Sequence, residues 1–196
     1  MRGKRMNKEY ETNGKALFDG ELIKTKRDNI KELIECMEDG GFYESPCSGA
    51  HHLAEPGGLL EHSLNVLTLA RELARAWEST IPEESITISA LLHDLGKMGD
   101  HGKPNYAENY LKDGSRSSAK PYTTNTELAY IPHEVRSVMI AERYIMLTED
   151  EEQAILFHNG LYSSFKYEIP GKETPLYMLL HFSDLWASRV IEVEHG

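Results

Sequence analysis

The sequence predicts an all-α domain built as a helical bundle, with a small β-hairpin inserted around residues 98–132. Three observations carry this reading. Apolar residues recur at helical spacing over most of the chain, and Gly, Pro and Thr stand where those stretches start and stop. With 40% hydrophobic and 27% charged residues, the composition is that of an ordinary globular chain. At 196 residues the chain can bury one core, and no repeat, low-complexity tract or linker divides it. The expected organisation is an N-terminal arm over 1–26 and a single helical domain over 27–196.

Residues 1–26 are polar with weak periodicity and read as a loose lead-in or strand-like arm. From Arg27 to Glu38, Ile30, Leu33, Ile34 and Met37 fall at helical spacing, and Gly40-Gly41 stop the helix. The loop FYESPCSGAHHLAEPGG leads into the strongest helix, Leu59–Trp77. There Leu60, Leu64 and Leu67 form one apolar line, with Val66, Leu69 and Leu73 beside it. The next helix is expected over Ser85–Leu95, ended by Gly96. Residues 98–132 are polar and too long for a bare loop, and KPYTTNTELAYI has the alternating, aromatic character of a β-hairpin. Pro132 suits the first turn of a helix to about Leu147. Thr148 and the acidic residues after it open another helix through His158. Thr174-Pro175 opens the last, to about Val193.

The formal charge of −11 removes the diffuse positive field that holds nucleic acid or an anionic membrane. An anionic substrate would need local cations, either bound metal or a few placed Lys and Arg. Cys36 and Cys47 do not make a disulfide framework. The N-terminus has no apolar signal region and no stretch is long and apolar enough to span a membrane, so the chain reads as cytoplasmic with free thiols.

Chemistry is concentrated in the histidines and inward carboxylates. His62 shares a helical face with Val66, Leu69 and Leu73. His93 and Asp94 lie in the apolar run ISALLHDLGK, where an unpaired charge costs several kcal/mol or more. Asp184 lies on the face of Tyr177, Leu180 and Ala187. Singly, each has a plainer explanation: a hydrogen-bonded core histidine, a chance dipeptide, a buried cap or a partner for Arg189. Together they put imidazoles and carboxylates inward from different helices, an interior that needs a compensating cation, and bundles build metal sites this way.

The order His62, His93-Asp94, Asp184, in the strings GGLLEHSLNVL, LLHDLGK and HFSDLWASR, resembles the HD-domain superfamily of metal-dependent phosphohydrolases. GGLLEHS is similar to the HD proteins of phages and prophages and to the HD domain of 3′→5′ exoribonucleases. The resemblance runs from about His51 to Arg189 and implies an HD-domain helical bundle. It also implies that His62, His93, Asp94 and Asp184 hold a first metal, with Asp94 placed to bridge to a second. His133 in IPHEVRS and His158 in ILFHNG complete the six-ligand order of two-metal members. The exoribonuclease relatives have two adjacent histidines where this chain has His158-Asn159. The implied cofactor is one or two divalent ions of Mn, Fe, Ni, Co, Mg or Zn.

In the family, metal-activated water attacks a phosphate ester, and the lysine matching Lys97 faces the phosphate; a lysine favoured by a helix C-terminus is the plainer account of Lys97. Asp94 and Lys97 are therefore the catalytic candidates, and Lys97, His101 and Arg136 the substrate-binding ones. Glu61 is a candidate partner for an imidazole, and His51 and His52 for the mouth of a pocket. The expected activity is phosphomonoesterase or phosphodiesterase on a nucleotide or similar small phosphate ester. Three other readings share the motif: an HD-fold di-iron oxygenase, a nuclease, which the acidic charge disfavours, and a non-catalytic nucleotide-binding HD module.

Overall fold

The computed structural model describes residues 9–163 and 165–193. Residues 1–8 of the expected N-terminal arm lie outside this range. The element order is α1 (Glu9–Lys24), α2 (Ile30–Asp39), α3 (Gly58–Ala76), α4 (Glu83–Leu92), β1 (Gly99–Asp100), β2 (Lys103–Pro104), β3 (Tyr106–Glu108), β4 (Tyr122–Thr124), α5 (His133–Ala141), α6 (Glu149–Phe157) and α7 (Pro175–Trp186). Single 3-10 turns occupy Phe42–Glu44, Leu95–Met98 and Gly160–Tyr162, and a π-helical turn, Ala187–Ile191, continues α7.

The arm over 1–26 is not loose or strand-like where it is described: Glu9–Lys24 is α-helical and packs on α3 and α4. Its buried stripe is Gly14, Phe18, Glu21, Leu22 and Thr25, whereas Leu17 and Ile23 face solvent. A stripe made of Gly, Glu and Thr as much as of apolar residues gives almost no hydrophobic periodicity to read. Glu21 is tolerated there because Arg71 Nη2 and Lys24 Nζ each lie 2.5 Å from its carboxylate.

The central layer is α3 against α4 and α7, with α6 on α7 and on α4. Every residue of Ser85–Leu95 is buried, so α4 is the innermost helix rather than an amphipathic one. It ends three residues earlier than expected, because Asp94 (φ −103°, ψ 11°) leaves helical geometry and a 3-10 turn follows. Gly96 lies in that turn for a steric reason. A Cβ there would stand 2.3 Å from the His133 carbonyl and 2.8 Å from Arg136 Cβ, so only glycine lets α5 approach this closely. The Gly96 N–H donates to Ser137 Oγ at 2.8 Å, fastening the two segments.

The β-hairpin expected within KPYTTNTELAYI takes another form. Tyr122–Thr124 pairs antiparallel with the distant Tyr106–Glu108, in register Tyr106 to Thr124, and β1 pairs with β2. Residues 98–132 therefore form a two-ribbon excursion beside the bundle. Helix α5 stops at Ala141 rather than near Leu147, and the chain folds back so that Ile145 and Leu147 enter the core. Thr148 caps α6 with a full capping box: its hydroxyl accepts from Glu151 N, and the Glu151 carboxylate accepts from Thr148 N. The same buried carboxylate receives Arg27 Nη2 at 2.7 Å, and Arg27 also pairs with Glu84 and donates to the Met146 carbonyl. One guanidinium thus joins the start of α2 to the N-terminal ends of α4 and α6.

If α1 belongs to the core, Phe18→Ala lowers unfolding stability by about 3–5 kcal/mol, the range for a fully buried aromatic. Urea denaturation checks this. A loss below about 1 kcal/mol would detach α1 from the cooperative unit.

Candidate metal centre

Five helices deliver side chains to one buried point. His62 comes from the first turns of α3, His93 and Asp94 from the end of α4, His133 from the first residue of α5, His158 from just after α6, and Asp184 from late in α7. Asp94 is central, buried, and its two oxygens face different ways. Its Oδ2 lies 3.5 Å from His62 Nε2 and 3.4 Å from His93 Nε2. Its Oδ1 lies 3.2 Å from His133 Nε2 and 3.4 Å from His158 Nε2. Asp184 Oδ1 is 3.2 Å from His62 Nε2, and the Nε2 atoms of His62 and His93 are also 3.2 Å apart.

The other ring nitrogens decide what these contacts are. His93 Nδ1 is 2.9 Å from the Ala90 carbonyl and His158 Nδ1 is 2.7 Å from the Ile155 carbonyl. A carbonyl only accepts, so both Nδ1 atoms carry a proton, and in the neutral rings both Nε2 atoms present lone pairs. His62 Nδ1 sits 3.0 Å from Glu192, and His133 Nδ1 sits 3.1 Å from Glu134, so carboxylates impose the same tautomer on these two rings. The Asn159 amide, 3.1 Å from His133 Nε2, donates to that lone pair.

With the rings neutral, four Nε2 atoms, that of His133 shared with the Asn159 amide, and two carboxylates converge, and Asp94 Oδ1 is buried without a hydrogen-bond donor. Donors around one ion bonded at about 2.0–2.2 Å lie about 2.9–3.6 Å from their neighbours, and the spacings here fall inside that window. The residues fit a divalent cation on both sides of Asp94. Imidazole rings backed by carboxylate or carbonyl acceptors are also how metal-ligating histidines are held. Without a metal the cluster attracts protons. Burial opposes charge on His62, but the Cys47 thiol and the Glu192 and Asp184 carboxylates carry its pKa well above the usual imidazole value. Burial alone would raise the pKa of Asp94, yet Lys97 and His93 hold it well below the carboxylate range. Burial leaves the pKa of His93 below its ordinary value.

Lys97 reaches the cluster, with Nζ 2.6 Å from Asp94 Oδ2 and its side chain 12% exposed. Two other candidates do not. His101 is on an exposed loop in the left-handed region (φ 53°), its ring beside Asp100. Arg136 is buried but turns away, donating from Nη2 to the Ala129 carbonyl at 2.7 Å with Nη1 3.7 Å from Asp100. Arg143 makes two contacts to Asp100, at 2.9 and 2.7 Å, and holds that carboxyl down to about 2. This network braces the first ribbon on α5. Arg189 stacks over Tyr162 at 5.1 Å instead of pairing with Asp184.

Sequence reasoning missed Glu192. The π-helical turn after α7, marked by Glu192 N–H donating to the Ala187 carbonyl at 3.0 Å, brings Glu192 back over His62. Asn65 Nδ2 donates to Glu192 at 3.0 Å and fixes the carboxylate. No sequence pattern announces a π-turn. Cys47 also stands at the cluster, 3.9 Å from Asp94 Oδ2, with His52 behind it.

The family model for the HD domain matches residues 59–177. The chain belongs to the HD-domain family. HD domains are metal-dependent, phosphohydrolase-type proteins that bind divalent ions, and this one carries His and Asp clusters able to hold them. The HD match includes His62, His93, Asp94, His133 and His158 and ends before Asp184 and Glu192. No curated protein and no solved structure shows a significant match to the chain. Among the described residues, no helix is long and apolar enough to cross a membrane.

Glu192→Gln keeps a hydrogen-bond acceptor near His62 but removes the charge. Its expected effect is a loss of about 10–100-fold in Mn²⁺ affinity with unchanged folding. Isothermal titration at two pH values reads it. Because metal displaces a proton from His62, wild-type affinity should fall as pH is lowered. A variant with wild-type affinity would reduce Glu192 to a surface anchor.

Proposed function

We propose that this HD domain hydrolyses a phosphomonoester or phosphodiester of a nucleotide or similar small phosphate ester. The carrying observation is the pair of opposed donor sets on Asp94: His62 and His93 around Oδ2, with Asp184 against His62, and His133 and His158 around Oδ1. In this reading His62, His93, Asp94 and Asp184 would hold one divalent ion, and His133 and His158 with Asp94 would hold another. Such ions supply a Lewis acid and lower the pKa of water to about 7.

The protein's own residues do the rest. Asp94 orients the attacking water through its buried carboxylate. The Lys97 ammonium donates to Asp94 and to Cys47 Sγ and offers its remaining donor to a phosphate oxygen, a role suited to a compact point charge. Lys97 is the substrate-binding residue this reading keeps, since Arg136 is engaged with Asp100 and Ala129. His133 and Asp184 are the partly exposed members of the cluster, with side chains 27% and 15% accessible, so substrate enters on their side. A net charge of −11 disfavours a long polyanion and favours a small substrate drawn by local cations.

The test is elemental analysis of wild type and Asp94→Ala, with cleavage of bis-p-nitrophenyl phosphate assayed under Mn, Mg, Ni, Co and Fe. The expected result is about two metals per chain in wild type, and loss of both metal and cleavage in the variant. Lys97→Met should keep the metal and lose roughly 10²-fold in kcat, as removal of one positioned cationic donor does. Iron with dioxygen consumption and no hydrolysis would replace this reading with the oxygenase. Failure to load any metal would overturn it.

A further inference from the structure

The loop between the first 3-10 turn and α3 carries a second set of metal-binding side chains that the six-residue cluster does not use. Cys47 N–H donates to the Leu53 carbonyl at 3.0 Å, Ser48 Oγ donates to the His52 carbonyl at 2.8 Å, and His51 N–H donates to Ser48 Oγ at 2.9 Å. The loop closes on the start of α3 so tightly that a Cβ on Gly58 would stand 2.2 Å from the Leu53 carbonyl. This closure sets two residues five apart in sequence side by side, with Cys47 Sγ 3.4 Å from His52 Nε2. The thiol is fully buried, and the His52 ring packs 5.2 Å from that of His62. Cys47, His52 and His62 each bring one ligand atom into a group whose members all lie within 4.8 Å of one another.

Sulfur and imidazole donors bonded to one tetrahedral ion at about 2.3 and 2.0 Å stand about 3.5 Å apart, which the Cys47–His52 spacing matches. Thiolate among imidazoles selects soft, borderline cations over the hard ions that carboxylates prefer. Burial pushes the Cys47 thiol up to about 11, so in the metal-free protein it keeps its proton, with the Lys97 ammonium 3.7 Å from Sγ.

We propose that Cys47, His52 and His62 form a thiolate-containing site for a soft divalent cation, zinc or cadmium, sharing His62 with the neighbouring cluster. Binding replaces the thiol proton, which leaves to solvent, with a metal–sulfur bond. Because one imidazole serves both sites, a soft cation here withdraws His62 from Asp94 and Asp184. Zinc in excess then inhibits the hydrolase, an effect that rests on the proposed activity, whereas formation of the thiolate site in the metal-free protein does not.

The experiment uses full-length apo-protein carrying Cys36→Ser, which leaves Cys47 as the sole thiol. Cadmium is titrated in while the ultraviolet thiolate-to-metal charge-transfer absorption is followed. The expected result is a band that saturates at a single equivalent, is absent after Cys47→Ser, and needs at least tenfold more cadmium after His52→Ala. The band should persist after His133→Ala, which cripples the neighbouring cluster from the far side of Asp94 and shares no ligand group with Cys47, His52 or His62, so failure of the hydrolase reading and failure of this one are separable. His52 is partly accessible, and circular dichroism of His52→Ala checks that it folds, so that arm reads out even if Cys47→Ser does not fold. No band in protein shown to be folded by circular dichroism, or a band of unchanged affinity without His52, overturns the proposal.

Discussion

Burying the Asp94 carboxylate among ring nitrogens that all present lone pairs is costly unless a cation balances it, and the helices are arranged around that requirement. The tautomers are fixed from outside, by two backbone carbonyls and by two carboxylates, before any ligand arrives. What remains is a set of acceptors whose geometry is held by main chain and by packed helices. Lys97 offsets part of the charge and leaves the rest for metal. The order of elements follows from this, since each helix that contributes a donor ends or begins at the cluster.

Packing supplies the precision. The departure of Asp94 from helical geometry turns its carboxylate between the histidines of α3, α5 and α6, and Gly96 allows α5 to close on the following turn. Arg27 ties α2 to the N-terminal ends of α4 and α6, so that the helices bearing His93 and His158 share one clamp. Elements far from the cluster in sequence thereby set distances of a few tenths of an ångström within it, the tolerance a positioned site demands.

The helices from α2 to α7 were legible through apolar residues at helical spacing, through the Gly and Pro residues at their ends, and at α6 and α7 through Thr148 and Thr174, which cap as their sequences suggest. The six clustered residues were legible as a set through the GGLLEH and HDLGK strings, and the structure brings all of them together. Helix α1 was not, since its buried stripe contains Gly14, Glu21 and Thr25. The pairing of β3 with β4 was not, because a short strand gives no sign of a partner well upstream. Arg136 was expected at the substrate and braces the ribbon instead; a buried cation and an exposed one look alike in sequence. Glu192 was invisible for a different reason, lying in a local change of helical pitch that side-chain identity does not encode.

That change of pitch also makes the end of the last helix sensitive to counting. A π-turn holds one residue more than the α-turn it replaces. Wound as a regular α-helix, the same five residues would carry Glu192 on by about 100° and about 1.5 Å. The Glu192 carboxylate would leave His62 while every chemical group stayed in the sequence. Substitutions along this turn alter size or polarity, but a change of winding alters phase. Register in this short segment is therefore a functional quantity of its own, as binding on the chain as the identity of any donor.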